Sequence, residues 1–149
     1  MPDNYQEIKI HLKKGDVRIN FIARAYNEGV AFAYEIPEQG EVKELELDEK
    51  IHYNFNKDHM LWSTPKREKG VLTAQGAYKK IPLSQLATGI ERPLLIEISD
   101  SVKIALAEAN LVDYARLSYS KGTNSDFSIE SSLDGRMAEE KQDTITGAL

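Results

Sequence analysis

The chain has 149 residues, about the commonest length of a single domain, and 41% hydrophobic with 29% charged residues is the composition of a globular protein. A formal net charge of -5, with no dense cluster of Lys and Arg, excludes the basic surface that follows a phosphate backbone, so we expect no nucleic-acid partner. The absence of cysteine excludes disulfides, thiolate zinc sites and a cysteine nucleophile, and it leaves the compartment open.

The first ten residues, MPDNYQEIKI, lack the basic region and the apolar run of a signal peptide. Nowhere do about 18 apolar residues follow one another, which is the length that spans a bilayer as a helix. The sequence therefore predicts no membrane insertion, and by itself it indicates no compartment.

The first quarter of the chain predicts three strands. Residues 5–14 alternate apolar and charged side chains and end at a Gly-Asp turn. Residues 17–26 and 30–36 repeat the alternation on either side of Asn27-Glu28-Gly29. Two long strands joined by three residues that include glycine are a strong hairpin signal.

The middle of the chain is less regular. Residues 38–50 are acidic and alternate weakly, which predicts a short or edge strand, and 51–55 predict another short strand. Residues 64–70 are charged, contain a proline and predict an exposed loop. Residues 71–81 stay ambiguous because Gly76 weakens either a strand or a helix.

The last part adds strands at 93–99, 115–120 and 126–133. About nine strands separated by turn signals predict an all-β fold, an antiparallel β-sandwich. We expect one sandwich domain over residues 5–133 and a polar C-terminal tail over 134–149.

Residues 102–114, VKIALAEANLVDY, fit two structures. As a helix, the segment would be capped from residues 99–101, and its ALAEA run has high helix propensity. As a strand, it would place Glu108 on the same face as three apolar side chains, where a carboxylate needs a cation or a hydrogen-bond donor. A bulge near Ala107 or Asn110 would instead turn Glu108 to solvent. The apolar side chains of that face are Val102, Ile104 and Leu106.

No catalytic motif is evident: there is no Gly-x-Ser-x-Gly elbow, no phosphate-binding glycine loop and no His-Glu-x-x-His pair. The three histidines, His11, His52 and His59, are scattered in the way that is typical of surface or strand histidines rather than ligands. His52, Tyr53 and Trp62 are candidates for a sugar-stacking face, although a lone tryptophan among strands more commonly packs in a core or at its rim.

Four carboxylates lie inside or beside apolar runs, and general acid–base chemistry would need two of them a few ångströms apart. Sequence alone does not pair them, and an outward-facing strand position is the usual role of each. Glu108 is the strongest candidate for a special role because of the apolar face predicted for it. The four are Glu28, Glu35, Glu97 and Glu108.

Residues 24–37, RAYNEGVAFAYEIP, resemble the hairpin of the N-terminal domain of glycoside hydrolase family 97. The resemblance extends over about residues 15–119, and its specific parts are this hairpin and an EAxLxDY element. Three further segments agree in the same order: 55–62, 78–83, and 93–97 followed by EANLVDY at 108–114.

This resemblance implies a domain of bacterial α-glucosidases and α-galactosidases, in which a β-super-sandwich similar to galactose mutarotase precedes a catalytic (β/α)8 barrel. It implies calcium-dependent catalysis, with the acid and base on the barrel and one glutamate lent to the calcium by the N-terminal domain. By its position in the EAxLxDY element that metal ligand is Glu108. The resemblance also implies a periplasmic or cell-envelope location and an oligosaccharide partner bound through the barrel.

In the family, further strands precede the strand that contains Ile8, and the domain continues through a Pro-Trp-Arg element into the barrel. We therefore expect a partial domain, incomplete at both ends. The leading hypothesis is a non-catalytic sandwich domain of a calcium-dependent α-glycosidase, inactive alone. The alternative is a stand-alone carbohydrate-binding or protein-interaction β-sandwich. A sugar epimerase, by analogy with mutarotase, is weaker because fold alone does not carry function. Glucoside versus galactoside specificity stays open.

Overall fold

The structure, a computed structural model, describes residues 4–40, 48–64, 76–109, 111 and 114–134. These residues form ten β-strands and one short 3-10 helical turn, and every strand pair is antiparallel. In chain order the strands are β1 (Gln6–Lys14), β2 (Val17–Ala25), β3 (Val30–Glu35), β4 (Lys50–Asn54), β5 (Met60–Ser63), β6 (Lys79–Pro82), β7 (Leu94–Glu97), β8 (Lys103–Leu106), β9 (Arg116–Lys121) and β10 (Ser128–Asp134), with the helical turn at Leu83–Gln85 after β6. The predicted all-β fold is confirmed.

The described residues divide into two compact units. The first unit contains residues 4–40, and the second contains the described residues from 48 to 134. The prediction of a single sandwich domain over 5–133 stays a prediction, and so does the predicted tail, of which residues 135–149 lie outside the description.

In the first unit, β1, β2 and β3 form one sheet in that order. Gly15 in the β1–β2 turn has a φ of +60°, which glycine adopts without a steric cost. The β2–β3 turn is closed by the N–H of Tyr26, which donates to the carbonyl of Gly29 at 2.8 Å. The hairpin therefore lies where the sequence predicted it.

The register of the first sheet collects its apolar side chains on one face. Ile10 lies opposite Phe21, and Phe21 lies opposite Tyr34, with the Phe21 and Tyr34 ring centroids 5.6 Å apart. This face stays exposed to solvent, and Ile8 retains 55% of its accessible surface. The only buried residue among 4–40 is polar, Asn20.

In the second unit, one sheet has the order β4-β10-β9 and the other has the order β6-β5-β7-β8. The two sheets share one hydrophobic core, which makes this unit a β-sandwich. Residues of both sheets, of the helical turn and of the loop after it contribute to that core: Leu61, Leu83, Leu86, Ile90, Leu94, Ile96, Leu106, Tyr119 and Ile129.

The strand interpretation of residues 102–114 is confirmed over Lys103–Leu106, which form β8 at the edge of the four-stranded sheet. Its apolar face is only partly buried, because Ile104 remains 40% exposed whereas Leu106 is buried. Asn110, Val112 and Asp113 lie outside the description.

One prediction for the middle of the chain needs correction, and another lies mostly outside the description. The short strand predicted within residues 38–50 is absent from 38–40 and 48–49, Lys50 begins β4, and 41–47 lie outside the described ranges. Thr64, predicted to begin an exposed loop, is buried at 3% exposure because it continues directly from inner strand β5. The remainder of that loop and residues 71–75 lie outside the described ranges.

Candidate functional site

The carboxylate of Glu108 lies in the second unit, two residues past β8, with its side chain only 10% exposed. Its Oε1 accepts a hydrogen bond from the backbone N–H of Leu117 at 3.0 Å. Its Oε2 forms an ion pair with Nε of Arg92. The cation and the hydrogen-bond donor that a buried carboxylate needs are therefore both present, and the Glu108 side chain is not turned to solvent.

Arg92 contacts the same residue as Glu108, the backbone of Leu117. Its Nη1 donates to the carbonyl oxygen of Leu117 at 3.0 Å, so Arg92 and Glu108 together bind both backbone polar groups of Leu117. The three groups form a closed triangle that ties the loop before β7 and the segment after β8 to strand β9.

The backbone of β9 explains why this triangle forms. One side of β9 pairs with β10, while on the other side Tyr119 exchanges both backbone hydrogen bonds with Ile90, at 2.7 and 2.8 Å. In an extended strand the backbone N–H and C=O groups of alternate residues point to the same side. The N–H and C=O of Leu117 therefore also point away from β10, as those of Tyr119 do. The side chains of Arg92 and Glu108 act there in place of a neighbouring strand.

Opposing effects act on the pKa of Glu108. Burial raises the pKa and is the largest effect, whereas the Leu117 N–H and the Arg92 guanidinium lower it and the nearby Glu49 raises it further. The direction that results is a raised pKa. Glu49 itself accepts a hydrogen bond from the hydroxyl of Tyr114 at 2.8 Å.

The described residues by themselves do not complete a calcium coordination shell. Calcium takes about six to eight oxygen ligands in proteins. Among the residues that the structure describes, no group of three or more His, Cys, Asp or Glu side chains could hold a metal. Glu108 offers one carboxylate, and a guanidinium already neutralises it.

The histidines lie in three separate places. His11 contacts Asn20 with its Nδ1 2.7 Å from the amide oxygen, and His52 lies 3.7 Å from Glu130. His59 is buried, with its ring nitrogens 3.1 Å from the Glu97 carbonyl oxygen and 3.3 Å from the Asn56 amide oxygen. Each histidine therefore has a contact within the chain, and His59 differs from the predicted surface or strand position because it is buried just before β5.

Two of the other candidate carboxylates are bound by side chains of their own sheets. Glu35 is bound by Lys9 and Asn20, and Glu97 is bound by Trp62 and Lys80. The sugar-stacking face suggested by His52, Tyr53 and Trp62 is not formed. Tyr53 packs against Tyr119 with the ring centroids 6.4 Å apart, whereas Trp62 is on the other sheet and 37% exposed.

The sequence reasoning missed Arg92, the partner of Glu108. Its signal was weak: a cation directly before a proline and a strand, 16 residues from a carboxylate that needed one. No local pattern relates the two positions, because a loop and two strands separate them.

A family model described as Glycosyl-hydrolase 97 N-terminal matches residues 1–144. No curated protein and no solved structure gave a match. No helix in the described ranges is long and apolar enough to cross a membrane. Since the family model covers nearly the whole chain, the chain belongs to the glycosyl hydrolase 97 family as its N-terminal domain.

Proposed function

We propose that this chain is the non-catalytic N-terminal sandwich of a calcium-dependent α-glycosidase that acts on α-glucosides or α-galactosides. It shapes the sugar pocket of a catalytic barrel, through which the oligosaccharide binds, and it lends the Glu108 carboxylate to the calcium. The family match over residues 1–144 carries this proposal. A periplasmic or cell-envelope location is part of it.

The surroundings of Glu108 support its part in the proposal. A carboxylate has about four lone-pair sites on its two oxygens, and the Leu117 N–H and Arg92 leave some of them unused. Because the side chain is only 10% exposed and its Oε2 is paired with Arg92, a cation that binds Glu108 competes with the Arg92 guanidinium. Barrel residues must therefore supply most of the calcium ligands, and Arg92 must give way.

The first experiment assays the isolated chain with aryl α-glucoside and aryl α-galactoside. We expect no turnover of either substrate, since the chain matches an N-terminal domain and the proposal places the catalytic acid and base on the barrel. Turnover that disappears in Glu108→Gln would refute a non-catalytic role.

The second experiment measures calcium binding by calorimetry, in the isolated chain and in an enzyme that carries the barrel. We expect no tight binding by the isolated chain, because one carboxylate is far short of a calcium coordination shell. In the barrel-containing enzyme we expect Glu108→Gln to weaken binding and Glu28→Gln, in the turn before β3, to leave it unchanged. Equal calcium affinity in both variants and the unsubstituted enzyme would remove Glu108 from the calcium site.

A further inference from the structure

Trp62, the single tryptophan of the chain, faces away from the sandwich core. In β5 the side chains of Leu61 and Ser63 are buried, and Trp62 lies between them on the opposite side with 37% of its surface exposed. β5 is an inner strand of the four-stranded sheet, so Trp62 stands near the middle of the sheet's outer face. Exposing an apolar indole ring to water is unfavourable, and in this position the ring does not contribute to the core.

A network of contacts holds this ring in place. The indole Nε1 donates to Oε1 of Glu97 at 3.0 Å. Glu97 Oε2 lies 2.6 Å from Nζ of Lys80 on β6, and its Oε1 lies 3.6 Å from Nζ of Lys103 on β8. Four strands thus contribute to one arrangement, with the Lys80 ammonium 6.0 Å from the centre of the indole ring.

Tyr78 is a second exposed aromatic residue, close to Lys80 in the chain. It lies two residues before Lys80, is 38% exposed, and places its hydroxyl 3.4 Å from the carbonyl oxygen of Pro93, directly before β7. We call the residues Trp62, Tyr78, Lys80, Glu97 and Lys103 the Trp62 face.

The polar groups of the Trp62 face retain capacity for a ligand. Each lysine ammonium has three donors. The contact with Glu97 uses one donor of Lys80, whereas Lys103 at 3.6 Å is an ion-pair partner beyond hydrogen-bond distance. Both lysine side chains are more than 40% exposed, so the remaining donors point to solvent. One carboxylate and two ammonium groups leave a net charge of +1, which is far less than the basic surface that binds a polyanion and is compatible with a neutral ligand.

We propose that the Trp62 face is a carbohydrate-binding surface for a neutral oligosaccharide, separate from the Glu108 contact. A pyranose ring has an apolar C–H face that stacks on an aromatic ring and hydroxyl edges that hydrogen-bond to charged groups around it. The Trp62 face has both parts in that arrangement, with the indole fixed in orientation before a ligand arrives. The choice of α-linked gluco- and galacto-oligosaccharides as ligands rests on the proposed function.

The test is a titration of the isolated chain followed by the fluorescence of Trp62. Maltotetraose, an α-galacto-oligosaccharide, inorganic phosphate and an uncharged peptide serve as the four probes, each with and without EDTA. We expect a saturable change with at least one oligosaccharide, in the millimolar range because the face is open, unaffected by EDTA. The proposal is overturned if neither oligosaccharide gives a saturable change in fluorescence. It is also overturned if phosphate or the peptide gives a change equal to that of the oligosaccharide.

Affinity electrophoresis in gels that contain the responding glycan separates stacking from folding. We expect Trp62→Ala to raise the dissociation constant about tenfold or more by loss of stacking, and Trp62→Phe, which keeps a ring, to raise it less. Tyr26→Ala is the matched control, since Tyr26 is a similarly exposed aromatic of the first unit, at 36%. If Trp62→Ala is retarded as much as the unsubstituted chain, the proposal is overturned. Should the alanine variant not fold, the same comparison is made with Trp62→Phe. Hydrolysis is not measured here, so failure of this test leaves the proposed function untouched.

Discussion

The two units of the chain are both built from antiparallel strands with alternating sequences, yet they differ in what they bury. In the first unit no apolar side chain among residues 4–40 is buried, and β1 is exposed along its whole length. In the second unit nine hydrophobic residues form one core, and Leu61, Leu94 and Ile96 have no accessible surface. The difference shows that alternation predicts a strand and its two faces, whereas burial requires a second layer.

The polar contacts differ in the same way. Lys9 and Glu35 of the first unit form a 2.8 Å ion pair on the surface, with side chains 37% and 45% exposed. Arg92 and Glu108 of the second unit form an ion pair with side chains 16% and 10% exposed. A buried pair depends on both partners far more than an exposed pair does, because either one alone is a desolvated charge.

The largest effect on stability is expected from a substitution that removes a side chain from the core. Ile96→Ala in β7 should lower the free energy of unfolding by about 2–5 kcal/mol, since the side chain is fully buried and leaves a cavity. Ile10→Ala in β1 should change it by less than about 1 kcal/mol, because Ile10 is 40% exposed. Urea denaturation followed by far-ultraviolet circular dichroism measures both, and similar losses in the two variants would contradict the comparison.

The second effect concerns the two ion pairs. Arg92→Met should cost about 2–4 kcal/mol, because it leaves Glu108 without its cation and the Leu117 carbonyl without its donor. Lys9→Met should cost much less, because solvent screens the exposed pair of Lys9 and Glu35. The same denaturation experiment applies, and the double variant Arg92→Met/Glu108→Gln should recover part of the loss. A loss from Lys9→Met as large as that from Arg92→Met would count against the distinction.

A third comparison uses two glycines. A Cβ at Gly122 would lie 2.5 Å from Oγ and 3.2 Å from the backbone carbonyl carbon of Ser128, so Gly122→Ala should cost about 1–3 kcal/mol. Nothing lies within 4 Å of a Cβ at Gly29 in the first unit, and Gly29→Ala should change stability by about 0.5 kcal/mol or less. Thermal unfolding compares them; an unchanged transition in Gly122→Ala would show that the loop between β9 and β10 relaxes.

The smallest effect is a pH dependence at Trp62. Hydrogen bonds from Lys80 and Trp62, with charge from Lys103, lower the pKa of Glu97 from 4.5 to about 2. Since its pKa is lower in the folded state, the Glu97 contribution to stability is present above about pH 4.5 and is lost as pH falls towards 2. Trp62 fluorescence should report that titration, and Glu97→Gln should abolish it. A midpoint near pH 4.5 would mean that Glu97 is not bound as described.

Much of the fold followed from local sequence. The strands predicted at 5–14, 17–26 and 30–36 agree with β1, β2 and β3 within one residue, because tight turns with glycine bound long alternating runs. The segment around β8 required the family resemblance, since its local propensity favoured a helix as well.

The site was less predictable. The need of Glu108 for a cation followed from its apolar neighbours, but the identity of Arg92 did not, because that contact depends on how a loop passes the edge of β9. The outward orientation of Trp62 could not be derived either, since a four-residue strand does not show which of its two faces is buried.

Native-state hydrogen exchange of the backbone amides tests the central claim, that one unit holds the core and the Glu108 contact, most directly. We predict strong protection in β7, β9 and β10, weaker protection in β1 to β3, and a loss of protection at the Leu117 amide in Glu108→Ala, which removes the acceptor. Equal protection of β1 and β7, together with an unchanged Leu117 amide in that variant, would contradict it.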